Sequence, residues 1–150
     1  MQNLSAKYGK TLNLDKLTSY CPGCGHGIVT RLVAEAIETL GIRERAIAIV
    51  GIGCGGFSHH YMDVDAIEAT HGRSPSFAVG YKLCRPDNIV FTYCGDGDSC
   101  AIGLGDLMHA ANKGMPITSI MVNNSVFGMT GGQMSPTTCL LYTSPSPRDA

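Results

Sequence analysis

Ile89-Val90-Phe91-Thr92-Tyr93-Cys94-Gly95-Asp96-Gly97 carries the pattern that decides the fold of this 150-residue chain. Ile89 to Tyr93 reads as a strand, being rich in β-branched and aromatic residues, and Gly95-Asp96-Gly97 ends it. A helical rhythm follows through Ile102, Leu104, Leu107, Met108 and Ala111, until Lys113-Gly114 closes the helix and Pro116 prevents its continuation. Ile117 to Val122 then supplies another strand, which runs directly into Asn123-Asn124. This is a β-loop-α-β unit, and in open α/β sheets ligands bind at the loops that leave the carboxyl ends of the strands.

Upstream, Ala46-Ile47-Ala48-Ile49-Val50 is a wholly apolar run closed by glycine, as a strand covered on both faces requires. Ile28, Val29, Leu32, Val33, Ala36, Ile37 and Leu40 follow an amphipathic helical spacing that stops at Gly41. Weaker helical patterns run from Asp63 to Ala69 and from Pro75 to Leu83. The expected fold is α/β, an open, mainly parallel sheet with helices on both faces.

An apolar fraction of 44% and a charged fraction of 15% suit one globular domain. The net charge of −1 and scattered Lys and Arg argue against a nucleic-acid partner. No run reaches the ~20 apolar residues of a membrane span, and Met1 to Lys7 has no apolar signal core, so a cytoplasmic protein is expected. Seven cysteines in such a chain read as reduced thiols or metal ligands, not as a disulfide framework. The nineteen glycines gather at 23–27, 51–56, 95–105 and 128–132, which suggests loops passing close to a ligand.

Asp96 stands between glycines at a strand end, and residues 98–122 separate Gly97 from Asn123-Asn124 at the next strand end. Adjacent parallel strands bring Asp96 and Asn124 together. A carboxylate, an amide oxygen and a nearby carbonyl are hard ligands suited to Mg²⁺, which implies a diphosphate anchored through a metal. Gly-Asp-Gly alone is also an ordinary loop; the pair at this spacing is far more specific. Asp98 reads either as a supporting residue of that site or as a helix cap.

Cys21-Pro22-Gly23-Cys24 alone has three readings: zinc knuckle, redox dithiol or part of an iron–sulfur site. No second Cys-x-x-Cys or His pair stands at a spacing that favours zinc. Leu17 to Tyr20 makes a poor strand for a thioredoxin-type dithiol. Cys54, in Gly51-Ile52-Gly53-Cys54-Gly55-Gly56, offers a third thiolate from a sheet-edge loop, and three thiolates suit a cluster better than a dithiol. Cys84, Cys94 and Cys100 read as small buried residues. His26 reads as a helix cap or a shield of the cluster. His59, His60 and His109 carry no spacing argument.

The Gly-Asp-Gly to Asn-Asn constellation resembles the thiamine diphosphate motif. The order Tyr20-Cys21-Pro22-Gly23-Cys24-Gly25-His26-Gly27, Gly53-Cys54-Gly55, Thr70-His71-Gly72-Arg73, Ala78-Val79-Gly80-Tyr81-Lys82 and Phe127-Gly128-Met129-Thr130-Gly131-Gly132-Gln133 resembles the β subunits of 2-oxoacid:ferredoxin oxidoreductases over residues 15–138. The resemblance implies the thiamine-diphosphate-binding fold, with Mg²⁺ on Asp96, Asn124 and the carbonyl of Val126, and with Gly95, Gly97, Gly128 and Thr130 at the cofactor. It implies Cys21, Cys24 and Cys54 as ligands of a [4Fe–4S] cluster whose fourth cysteine comes later, so Cys54 also borders the cofactor.

His71 is then the catalytic candidate, Arg73 reads either as its neighbour at the site or as a solvated, ion-paired residue, and Phe57 and Ser58 stand near the substrate region. The implied reaction is oxidative decarboxylation of a 2-oxoacid to acyl-CoA and CO₂, with electrons passing through the cluster to ferredoxin. The substrate type implied is 2-oxoglutarate or a branched-chain 2-oxoacid, with coenzyme A as acyl acceptor. The glutamate that activates the cofactor ring belongs to an α subunit in that family, so this chain is expected to be inactive alone. A thiamine-dependent decarboxylase or transketolase-like enzyme shares Asp96 and Asn124 but gives the three cysteines no purpose. A non-catalytic cysteine-based metal or redox module leaves the Gly-Asp-Gly to Asn-Asn spacing unexplained.

Residues 1–138 are accordingly read as one cofactor-binding domain, truncated at its carboxyl side. From Cys139 to Ala150 the composition changes abruptly and resembles translated sequencing-adaptor read-through, so 139–150 is read as a non-native tail.

Overall fold

All three apolar runs form strands in the computed structural model, which describes residues 10–139. They are β1 (Ala46–Val50), β3 (Ile89–Gly95) and β4 (Ile117–Val122). A further strand, β2 (Asp65–Glu68), completes a four-stranded sheet of order β2-β1-β3-β4, parallel throughout. Asp63 to Ala69 is therefore not a helix, contrary to the pattern of its apolar residues. β2 is an edge strand whose one neighbour is β1, and Asp65, Ala66 and Glu68 are exposed. An edge strand escapes the strict apolar alternation that identifies a central one.

The helices are α1 (Gly25–Thr39), α2 (Ser74–Cys84) and α3 (Leu104–Asn112). β1 is buried along its whole length and serves two cores at once. Ala46, Ala48 and Val50 pack with Ala34 and Ile37 of α1, Phe91 and Tyr93 on one face; Ile47 and Ile49 pack with Ala78 of α2 and Val90 on the other. That alternation follows from the two-residue period of a strand. Each fully buried Ile or Val contributes roughly 1.5–3 kcal/mol.

The single helix expected after Gly97 is divided. A π-helical turn, Gly97–Ile102, precedes α3, with the Gly103 N–H bonding the Asp98 carbonyl at 2.8 Å. Gly103 approaches Gly72 backbone to backbone: a Cβ on Gly103 would lie 2.5 Å from the Gly72 oxygen. The widened turn lets the chain pass Gly72 before α3 settles into its own register, and such turns cluster at functional sites.

After β4 the chain forms a short hairpin, β5 (Val126–Phe127) with β6 (Gln133–Met134), closed through Gly131 and Gly132, both at positive φ. β1 leads outward to β2, whereas α2 carries the chain back across the sheet to β3. The strand order reverses between β1 and β3, which is where an open sheet gapes at its carboxyl edge. Among the described residues no helix is long and apolar enough to cross a membrane. Leu140 to Ala150, nearly all of the tail expected to be foreign, lie outside the described residues.

Candidate functional site

A cleft of about 550 Å³, counted to its open mouth, lies at that carboxyl edge. The loop after β1 brings Ile52, Gly53, Cys54 and Gly55; the end of β3 brings Gly95, Gly97 and Asp98; the segment after β4 brings Asn124 and Val126 through Thr130. His26 and His71 complete the wall. Of the residues expected at a cofactor, Gly95, Gly97, Asn124, Gly128, Thr130, Val126 and Cys54 all line this one cleft, together with His71.

Asp96 is fully buried at the start of the π-turn. Its Oδ2 accepts the hydroxyls of Ser135 and Thr137. Burial works against the charge, but those two hydroxyls and the N–H groups of Asp96 and Gly97 outweigh it and hold the carboxyl below the usual aspartate value. The other oxygen, Oδ1, faces the head of the Asn124 amide at 2.9 Å, and the same amide atom lies 3.1 Å from the Val126 carbonyl.

Read as nitrogen, that amide atom donates to both oxygens. Read as oxygen, it makes three acceptors converge with no proton between them, an arrangement that only a cation stabilises. Neighbouring ligands of an octahedral Mg²⁺ with bonds of about 2.1 Å stand about 3 Å apart, which the two separations match. The donor set therefore fits a hard divalent ion.

Thr130 is exposed on the hairpin, where its hydroxyl bonds Gln133 and, at 3.4 Å, the Phe127 carbonyl. Gly97 has a further partner besides the cleft it lines. A Cβ there would come within 2.2 Å of the Phe127 ring, so this cleft-lining glycine also makes room for an aromatic side chain of the hairpin.

Asp98 is buried inside the π-turn and is not the helix cap; that position belongs to Asp96. Its Oδ1 accepts the Gly72 N–H at 2.7 Å and Nδ1 of His71. His71 keeps about a third of its side chain exposed, toward the cleft. Arg73 turns away from the site and pairs with Asp106 at 2.6 Å on the surface.

Cys54 starts the 3₁₀ turn Cys54–His60, and a Cβ on Gly128 would sit 3.4 Å from its sulfur. Burial first, then the nearby Cys24 and Cys21 thiols, push the Cys54 thiol up from its usual value, which puts the three within electrostatic reach. Cys21 and Cys24 occupy a turn closed by the Cys24 N–H on the Cys21 carbonyl at 2.9 Å, at the amino end of α1. Among the described residues no three acidic, His or Cys side chains close on a single ion. A cubane cluster gives each thiolate its own iron, so it does not require three side chains to close on a single ion.

His26 does not cap α1: Cys24 holds that position without a side-chain cap, and the His26 ring is buried. Its Nδ1 lies 3.4 Å from the hydroxyl of Tyr93, which also meets Thr30 at 3.1 Å. Burial lowers the pKa of His26, with the charge of Asp96 opposing it. Of the cysteines read as small core residues, Cys94 is buried, but Cys84 is exposed at the end of α2 and Cys100 is half-buried. Ser58 is buried with an unpartnered hydroxyl, and neither it nor Phe57 lines the cleft.

Sequence reasoning missed Ser135, Thr137 and Tyr93. The hydroxyl-rich run Ser135-Pro136-Thr137-Thr138 was the available signal for the first two. Tyr93 looked like any core strand residue.

Residues 33–149 match the family model described as thiamine pyrophosphate enzyme, C-terminal TPP binding domain. The ketoisovalerate oxidoreductase subunit VorA of Methanothermobacter thermautotrophicus is 45% identical over 135 residues, covering 88% of this chain and 28% of that one. The 2-oxoglutarate synthase subunit KorB of Archaeoglobus fulgidus is 39% identical over 136 residues, 90% of this chain and 51% of its own. A solved 2-oxoglutarate:ferredoxin oxidoreductase from Magnetococcus marinus, with 2-oxoglutarate, coenzyme A and succinyl-CoA bound, superimposes with a TM-score of 0.82 at 36% identity, over 92% of this chain and 47% of that chain. The chain thus spans about half the length of such relatives, or less.

Proposed function

The chain belongs to the thiamine pyrophosphate enzyme family through its C-terminal TPP-binding domain, and from that premise we propose that it is the cofactor-holding part of the β subunit of a 2-oxoacid:ferredoxin oxidoreductase. The reaction is oxidative decarboxylation of a 2-oxoacid to acyl-CoA and CO₂, with ferredoxin as electron acceptor and an α-type subunit completing the site. The observation that carries this reading is that Asn124, Val126 and Cys54 line one cleft, with the buried Asp96 carboxylate 2.9 Å from the head of the Asn124 amide. A decarboxylase without electron transfer has use for the oxygens and none for Cys54 with Cys21 and Cys24.

In this reading Asp96, Asn124 and the Val126 carbonyl hold Mg²⁺ on the diphosphate, and Ser135 and Thr137 keep Asp96 charged and oriented. Gly95, Gly128 and Thr130 border the diphosphate. Gly97 serves it indirectly by seating Phe127 and so fixing the hairpin. Cys21, Cys24 and Cys54 supply three thiolates to a [4Fe–4S] cluster. The thiamine ring supplies the carbanion chemistry, as cofactors do; the protein positions it and gives electrons a short exit. The names of the relatives divide between ketoisovalerate and 2-oxoglutarate at similar identity, so the substrate class proposed is the 2-oxoacid.

The test is anaerobic purification with the partner subunit. Expected are Mg²⁺-dependent thiamine diphosphate binding by calorimetry, lost in Asp96→Ala, and the visible absorbance of an iron–sulfur cluster, lost in Cys24→Ala. A colourless complex with full activity on 2-oxoacids would overturn the electron-transfer reading.

A further inference from the structure

Asp98 is a buried carboxylate that neither the metal nor the cluster employs. Glycine at 51 makes room for it, since a Cβ there would lie 2.1 Å from Oδ2. The Gly72 N–H fixes Oδ1. Oδ2 has no hydrogen-bond partner of ordinary geometry, and the Cys94 thiol lies against the carboxyl; burial, with the Asp98 charge adding, pushes that thiol up to about 12, so it stays protonated. Three segments thus shape themselves around a charge that is costly to bury. Among the described residues, its partner that can carry a positive charge is His71, which opens on the cleft.

A carboxylate only accepts, so His71 presents Nδ1–H to Asp98, and Nε2 is left as the ring nitrogen facing away from it. Among the side chains lining the cleft none is Lys, Arg or Glu. His26 is buried against Tyr93, and Asn124 and Thr130 accept no proton near neutrality. With Cys54 assigned to the cluster and Asp98 held by Gly72 and His71, His71 is the proton acceptor that the described residues of this chain offer to a ligand in the cleft.

We propose that Asp98 is a positioning residue that aims Nε2 of His71 into the cleft, and that His71 takes the proton of the coenzyme A thiol when the acyl group is transferred to it. The inference rests on the reaction proposed above. Per turnover the 2-oxoacid loses CO₂ and two electrons, which leave singly to ferredoxin. The thiol S–H gives its proton to Nε2, and the sulfur forms the bond to the acyl carbon. The bond from that carbon to the cofactor breaks with its electron pair returning to the cofactor, and Nε2–H then yields its proton to water.

The test uses the anaerobic complex with its partner subunit and cofactors, carrying Asp98→Asn or, as the half-exposed position that disturbs packing least, His71→Gln. CoA-dependent turnover is expected to fall about a hundredfold, within the range general bases contribute. The KM for CoA should stay within a few-fold, and the first turnover without CoA should fall by a much smaller factor. In ¹⁵N spectra of the histidine-labelled complex, the Nδ1-protonated ring of His71 should vanish in Asp98→Asn.

Equal loss of the CoA-dependent and CoA-independent reactions would overturn the proposal. So would a loss explained by KM, or an Nε2-protonated neutral ring in the unaltered complex. An unaltered complex that no 2-oxoacid reduces would defeat the parent reading instead, and the ¹⁵N spectrum would still decide whether Asp98 holds the ring.

Discussion

Ser135→Ala and Thr137→Val remove the two hydroxyls that bond Oδ2 of Asp96, with little change in volume. A hydrogen bond to a charged group contributes about 1.5–3 kcal/mol. At about 1.4 kcal/mol per tenfold, losing one should weaken Mg²⁺ retention roughly ten- to a hundredfold. The double variant should lose less than the product, because the hydroxyls share an oxygen and touch each other at 2.9 Å. The pH dependence has a definite sign. The Asp96 carboxyl is held below its unfolded value, so its charge is retained above the unfolded pKa and lost as pH falls through the folded one. With the hydroxyls gone, burial acts unopposed by them, and the acid limit of Mg²⁺ binding should move to higher pH. Titration calorimetry of MgCl₂ into the thiamine diphosphate-saturated complex, at neutral and mildly acid pH, measures both effects. Mg²⁺ affinity within about twofold of the unaltered protein in both single variants would refute the assignment of these hydroxyls.

Gly97→Ala places a methyl group 2.2–2.6 Å from Phe127 ring atoms and should displace the hairpin, at a cost of about 1–3 kcal/mol in stability and with weaker Mg²⁺ binding. Adding Phe127→Ala should recover most of that stability loss, and a double-mutant cycle by denaturation shows whether the two are coupled. Tyr93→Phe leaves Thr30 and His26 without their shared hydroxyl and should lower stability by about 1–3 kcal/mol, read from the denaturation midpoint.

β1, β3, β4 and α1 were legible because each buries a repeating apolar pattern, and Asp96 and Asn124 were legible because adjacent parallel strands turn a spacing into a contact. What escaped has no local period. β2 is stabilised by pairing with β1, so its own residues need not alternate. Ser135 and Thr137 meet Asp96 across 39 and 41 positions, and His71 meets Asp98 across 27. The π-turn arises from the approach of Gly72 to Gly103, which depends on where the Thr70–Arg73 segment lies in space. Arg73 takes its ion-paired reading, with Asp106: adjacency to His71 in sequence says nothing of direction, and the two side chains have different partners.

The sheet order itself accounts for the neighbourhood of Cys54 with Asp96 and Asn124. Cys54 follows β1, Asp96 follows β3 and Asn124 follows β4, and these strands are consecutive in the sheet. Parallel neighbours about 4.8 Å apart end on the same side, so the loops bearing the three groups leave the sheet in a row about 10 Å long. The hairpin after β4 then bends back across the row, bringing Val126 to Asn124 and Gly128 to the sulfur of Cys54. A Cβ at 128 would meet that sulfur in ordinary contact at 3.4 Å, so the interval between the hairpin and the thiol is short. Within the proposed function, that interval is the path electrons take. It is set by strand order and one hairpin.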